Sequence, residues 1–119
     1  MDTRHLKRRK TVQLLFSHFF GTNRASKVNP TISAIINNVV AIDTYIDEFA
    51  LIHASNALAK VDLSILRLAV YELLIESKVP PKVVMNEAVE LAHEYGSENS
   101  PAFVNAILGG LYKKYKSKK

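Results

Sequence analysis

Leu63-Ser64-Ile65-Leu66-Arg67-Leu68-Ala69-Val70-Tyr71-Glu72-Leu73-Leu74 places Leu63, Leu66, Val70, Leu73 and Leu74 at steps of three and four residues. Those steps stack side chains on one face of an α-helix, whereas a half-buried strand alternates at every second residue. The segment therefore predicts a helix over 62–77, with Asp62 as a natural N-cap and an exposed partner contact as its alternative role. Downstream, Val79-Pro80-Pro81 must separate two helices, because a residue before proline resists the helical region. Val84, Ala88, Leu91 and Ala92 then form a shorter stripe, and Gly96 after Tyr95 stands where a left-handed C-terminal cap belongs. Ser100-Pro101 reads as a cap followed by proline in the first turn, ahead of the stripe Phe103, Val104, Ile107, Leu108 and Leu111.

Upstream, Asn29-Pro30 repeats the cap signature before Ile32, Ile35, Ile36, Val39, Ile42, Ile46 and Phe49, and Val12, Leu15, Phe16 and Phe19 form the first stripe. No segment alternates with period two. The expected helices run near 4–20, 30–52, 62–77, 81–95 and 101–115, with a polar loop over 21–29 and a short turn, or a partial helix, near 53–61. The fold class is all-α: a compact bundle of about five to seven helices that bury their stripes against one another. The 119 residues suffice for one domain, 1–119, with a basic N-terminal helix at 4–20 and a disordered or frayed basic tail at 113–119.

Charge is unevenly placed. Arg4, Lys7, Arg8, Arg9 and Lys10 crowd the start, and Lys113, Lys114, Lys116, Lys118 and Lys119 crowd the end. These ends hold ten of the sixteen basic residues and one of the eleven acids, Asp2, within a formal net charge of +5. A mildly acidic body with two basic ends points to an anionic polymer, with nucleic acid ahead of membrane. Terminal lysines can also serve solubility alone. Cations early in a helix oppose its macrodipole and repel one another. Core-facing residues begin only at Val12, so the first two turns are expected to project past the packed body. Bound phosphates would relieve the repulsion there. Arg4, Lys7 and Arg8, at i, i+3 and i+4, can face one groove, with His5 and Arg9 on an adjoining face.

Chemistry-bearing motifs are lacking. There are no cysteines, no Gly-rich phosphate loop, no HExxH and no nucleophile elbow. His5, His18, His53 and His93 stand singly, so neither a metal site nor a cofactor is expected. Glu87, Glu90 and Glu94 share a helical face that reads as solvated and would repel DNA, which weighs against a helix-turn-helix. Arg67 inside an apolar stripe is expected to pair with an acid or lie along the helix surface, and Asn86 and Asn105 to fasten neighbouring backbone. No apolar run reaches the length of a membrane span, and the N-terminus lacks the apolar stretch of a secretion signal. A cytoplasmic non-enzyme is expected.

Taken in order, three blocks resemble the NusB family: Leu66-Arg67-Leu68-Ala69-Val70-Tyr71-Glu72-Leu73, Asn86-Glu87-Ala88-Val89-Glu90-Leu91-Ala92 and Phe103-Val104-Asn105-Ala106-Ile107-Leu108, the family's LR-x-A-x-YEL, NEA-x-ELA and FVN-x-x-L helices. Arg8 with Val12, Gln13, Leu15 and Phe16 matches its first helix. The likeness covers residues 4–20 and 60–112 and is loose over 21–59, which is shorter than usual. It implies an all-helical fold and an RNA-binding role in processive transcription antitermination of ribosomal RNA operons. The implied partners are boxA-containing RNA, NusE (a small-subunit ribosomal protein) and the RNA polymerase antitermination complex, with a homodimer possible and no membrane.

By motif position Arg4, His5 and Arg8 carry over the family's RNA contacts. Lys7 and Arg9 add to them, although His5 and Leu6 depart from the family's run of arginines. Asn99 to Phe103 matches another RNA-proximal region, where Phe103 either stacks on an unpaired base or is buried. Asp62 matches the surface that docks NusE. A NusB-like helical module that binds protein without independent RNA binding is the alternative implied by the same likeness.

Overall fold

The computed structural model describes residues 2–21, 29–53 and 58–116, with the backbone alone for 51–53. Among the described residues six α-helices follow in order: α1 (Thr3–Phe20), α2 (Pro30–Asn37), α3 (Val39–His53), α4 (Lys60–Val70), α5 (Pro81–Tyr95) and α6 (Ser100–Tyr115). A π-helical segment, Tyr71–Glu76, continues α4. No strand occurs among the described residues, as the spacing predicts. The tail beyond Lys116 and most of the 21–29 loop lie outside the described residues, as do residues 54–57 of the expected turn.

Helix α4 is the central element and packs on α1, α3, α5 and α6. Ile65, Leu66, Leu68, Ala69 and Val70 are all buried, so its apolar surface runs round the helix rather than along one stripe. Around it Leu15, Ile32, Ile35, Ile42, Ile46, Leu91, Ile107, Leu108 and Leu111 close a single core. Arg67 enters this interior by pairing: its Nε and a terminal nitrogen donate to both oxygens of Asp43 at 3.0 and 2.9 Å. Its guanidinium also stacks 4.2 Å from the Phe19 ring centroid.

Several local expectations change. The stripe over 30–52 is two helices, because Asn38 leaves the helical region (φ −111°, ψ 13°) and its side-chain nitrogen donates to Ala34 O at 2.7 Å. Asn competes for backbone groups in this way, which makes Asn37-Asn38 a weak point. Asn29 does cap α2, accepting from Ile32 N at 2.8 Å. Asp62 is not the cap of α4; Ala59 stands there, and Asp62 is buried in the first turn. Asn99 takes the cap position before α6. Ser100 is buried behind it, its Oγ accepting from Ser97 N at 2.9 Å.

Gly96 is extended (φ −92°) rather than left-handed. Its need for glycine is proximity, since a Cβ there would stand 2.4 Å from Ser100 Cβ. Among the described residues the left-handed one is Ser77 (φ 56°), which ends the π-helical segment by donating its N–H to Glu72 O. Asn86 and Asn105 are exposed, and among the described residues neither side chain fastens backbone.

Candidate nucleic-acid interface

Asp2 caps α1, its Oδ1 accepting from Arg4 N at 3.0 Å, and this carboxylate offsets part of the macrodipole conflict posed by the cations that follow. The first two turns do not project. His5 (4% exposed) and Arg8 (8%) are buried on the same face as Val12 and Leu15. Positions 5, 8, 12 and 15 form one helical stripe, whose first half is polar and is met by acids instead of by aliphatic side chains. Arg8 is held bidentately by Glu72. His5 Nδ1 lies 2.5 Å from Glu87 Oε1, and Nε2 lies 3.0 Å from Glu94 Oε2. Arg9 Nε approaches Glu94 Oε1 at 3.4 Å and donates to the Tyr95 hydroxyl at 3.3 Å.

Two of the glutamates expected on a solvated face, Glu87 and Glu94, thus anchor α1, while Glu90 is exposed as expected. Burial is the largest single influence on His5 and disfavours its charged form. The hydrogen bonds and charges of Glu87 and Glu94 together outweigh it and raise the pKa above the usual 6.5. With both ring nitrogens committed, the imidazole turns away from solvent, and this corrects its expected place on an open cationic face.

Arg4, Lys7 and Lys10 remain exposed. Arg4 and Lys7 line one groove with Arg8, as their spacing predicts, and Thr31, Tyr71 and Glu76 form its other walls. Across α1, Tyr95 also accepts from Gln13 Nε2 at 2.9 Å. Tyr95 is the organising residue that the sequence reading overlooks. Its position just ahead of Gly96 is the available signal, because it ties α1 to the turn carrying Asn99. Asn99 is exposed there, while Phe103 is half-buried and packs on the core.

Asp62 is 6% exposed, and its Oδ1 is without a hydrogen-bond partner among the described residues. Its chain neighbour Val61 lines a shallow, largely apolar hollow with Val12, Gln13, Phe16 and Tyr95. His5, Glu90 and Glu94 offer metal-ligand atoms within 4.8 Å of one another, a grouping that the scattered histidines gave no reason to expect. No helix among the described residues is long and apolar enough to cross a membrane.

The class is an all-helical bundle built on a central apolar helix, with a cationic first helix clasped by glutamates. The model of the NusB family matches residues 7–113, and the chain belongs to that family. A structure of T. maritima NusB superposes with a TM-score of 0.77 at 33% identity, covering 96% of this chain and 94% of that one. The transcription antitermination protein NusB of Geobacter sulfurreducens is 33% identical over 127 residues, covering 91% of this chain and 92% of that protein. The protein of the same name from Agathobacter rectalis is 53% identical over 76 residues, or 64% of this chain. The matched stretch spans 58% of the A. rectalis protein's length.

Proposed function

We propose that the chain is a non-enzymatic transcription antitermination factor that binds boxA-type single-stranded RNA and pairs with NusE in the cytoplasm. Membership of the family and the names of its relatives support antitermination. The observation that carries RNA binding is the division of labour along α1. His5, Arg8 and Arg9 engage Glu87, Glu72 and Glu94, which holds the helix rigid, while Arg4 and Lys7 stand exposed at the lip of one groove. Rigid presentation reduces the ordering cost when phosphate binds. In this reading Arg4 and Lys7 meet phosphate directly, Arg8 and Arg9 border the path, and His5 positions the helix. Asn99 and the partly exposed ring of Phe103 extend the path to bases, where stacking reads unpaired nucleotides.

The test is a gel shift with boxA RNA, scrambled RNA and duplex DNA, each with and without NusE. Selective retardation of boxA RNA that is lost in Arg4→Glu/Lys7→Glu, with an unchanged circular-dichroism spectrum, is expected. Equal retardation of duplex DNA would count against the reading.

One observation favours the second reading, a protein-binding module without independent RNA affinity. Among the described residues the buried Asp62 Oδ1 has no hydrogen-bond partner, and its chain neighbour Val61 lines an apolar hollow, chemistry suited to a basic and partly apolar protein segment. RNA retardation only in the presence of NusE would support that version.

A further inference from the structure

The His5 imidazole is sandwiched between carboxylates. Nδ1 is 2.5 Å from Glu87 Oε1, and Nε2 is 3.0 Å from Glu94 Oε2, in a ring 4% exposed. A neutral imidazole carries one proton and can donate to one side only. If Nδ1–H serves Glu87, the Nε2 lone pair faces a carboxylate oxygen, and a positive species must stand on that side. A second proton is one such species, and a divalent cation is the other.

The geometry suits a cation. Glu90 lies one turn before Glu94 on α5, is exposed, and completes a set whose donor atoms fall within 4.8 Å. Ligand atoms around a tetrahedral zinc ion at about 2.0–2.2 Å stand roughly 3.3–3.6 Å apart, so modest rotation of two glutamate side chains closes the set. Glu94 can serve both neighbours at once, since Oε2 faces His5 while Oε1 faces Arg9. Glu87 already occupies the place of the carboxylate that orients a metal-bound histidine by accepting from its other nitrogen. Exposed Glu90 gives the ion an entry route from solvent.

We propose that His5 Nε2, Glu90 and Glu94 form a site for a zinc-class divalent cation, oriented by Glu87, that clamps α1 to α5. The ion takes the place of the Nε2 proton and joins residues eighty-nine positions apart in sequence. One imidazole among the donors favours zinc-class ions over magnesium or calcium, which take oxygen ligands. The inference concerns the anchoring of α1 and stands whether or not RNA binds nearby.

The test uses the full chain stripped with a chelator. Zn2+ is titrated in competition with a chromophoric chelator, and thermal unfolding is followed with and without the ion. Expected are one tightly bound Zn2+ per chain, a raised Tm, and no rise with Mg2+ at equal concentration. Glu90→Gln changes an exposed residue and leaves the fold intact; it is expected to weaken zinc at least about tenfold, the scale on which supporting and direct ligands act. His5→Gln is expected to abolish binding, and His93→Ala, which alters an exposed ring on α5, to leave it unchanged. Zinc affinity unaffected by Glu90→Gln, or lost in His93→Ala, overturns the assignment, as does the lack of one-to-one binding in the unaltered chain.

Discussion

Arg8 donates two parallel hydrogen bonds to Glu72, from Nε to Oε1 at 3.0 Å and from a terminal nitrogen to Oε2 at 3.1 Å. The side chains are 10% and 13% exposed, so this pair joins α1 to the π-helical segment away from most of the solvent. Removing one member strands the other charge, which typically costs about 3–5 kcal/mol. Arg8→Ala and Glu72→Ala should each lower the urea-unfolding free energy by about 3 kcal/mol, and the double variant by clearly less than the two together. Additive losses would show that the two side chains do not act as a pair.

Arg4 and Lys7 make the opposite case. The Arg4 side chain is 81% exposed and, among the described residues, its one ion-pair partner is Asp2, at 3.9 Å. Charge reversal there should change stability by no more than about 0.5 kcal/mol, as at most surface positions. If the two side chains each neutralise a phosphate, replacing both should flatten the salt dependence of boxA binding by about 0.7 logarithmic units per lost contact. Filter binding across a salt series reads the slope directly. An unchanged slope would move the phosphate path off this end of α1.

His5 makes the attachment of α1 sensitive to pH. Its pKa is raised above 6.5 because Glu87 and Glu94, outweighing burial, favour the imidazolium. The folded state therefore binds the proton more tightly than the unfolded chain. That stabilisation is complete below the unfolded value and is lost as pH climbs through the higher folded value. With a chelator present, the stability advantage of the unaltered chain over His5→Asn should be largest below the unfolded imidazole value of about 6.5 and shrink as pH rises above it. Groups facing the ring are Glu87 and Glu94, with Glu90 within 4.8 Å and Arg9 on the far oxygen of Glu94. A difference that widens with rising pH would mean that the neutral ring is the form held in the fold.

These pairings mark where sequence reading stops. Helical spacing is written directly in Leu63, Leu66, Val70 and Leu73, and the prolines at 30, 80, 81 and 101 punctuate it, so the all-α class and most helix limits were legible. The groove shared by Arg4, Lys7 and Arg8 followed from spacing alone. The inward turn of His5 and Arg8 was hidden because an apolar count begins at Val12, and the acids that make the interior tolerable for them lie 82 and 64 positions away. The break at Asn38 depends on an amide preferring the Ala34 carbonyl to solvent, a choice that residue spacing does not encode. Asp62 was misread for a related reason. An acid early in a helix resembles a cap until the chain geometry places the cap at Ala59.

The turn between α5 and α6 has little room. An added Cβ at Gly96 would lie 2.4 Å from the Ser100 Cβ and Oγ and 2.8 Å from the Ala92 carbonyl oxygen. Relief would require shifting the serine hydroxyl that accepts from Ser97 N. Gly96→Ala should destabilise by about 1–3 kcal/mol, the usual cost of overpacking. Because the turn carries Asn99, the substitution should also weaken boxA binding more than its stability loss explains. Calorimetry together with RNA titration at a temperature where the variant is fully folded separates the two effects. RNA affinity equal to that of the unaltered chain would remove Asn99 from the proposed path.

Asp62 supplies the sharpest test of partner docking. Its carboxylate is 6% exposed in the first turn of α4, where negative charge suits the helix N-terminus, yet Oδ1 is unpartnered. A buried acceptor without a partner carries a desolvation cost. A cationic donor that reached this oxygen on docking would relieve that cost, and the hollow lined by neighbouring Val61 with Val12 and Phe16 is apolar surface for the same partner to cover. Asp62→Asn keeps the shape and removes the charge. It should change unfolding free energy by less than about 1 kcal/mol, because the loss is mainly one helix-terminus interaction. The same change should weaken NusE by about tenfold to a hundredfold, since a hydrogen bond to a charged group contributes roughly 1.5–3 kcal/mol. Phe16→Ala should weaken NusE through lost apolar contact and leave the salt dependence of the association unchanged, whereas Asp62→Asn should reduce it. Titration calorimetry with NusE at two salt concentrations distinguishes the pair. Full NusE affinity in Asp62→Asn would place the partner on another face of the bundle.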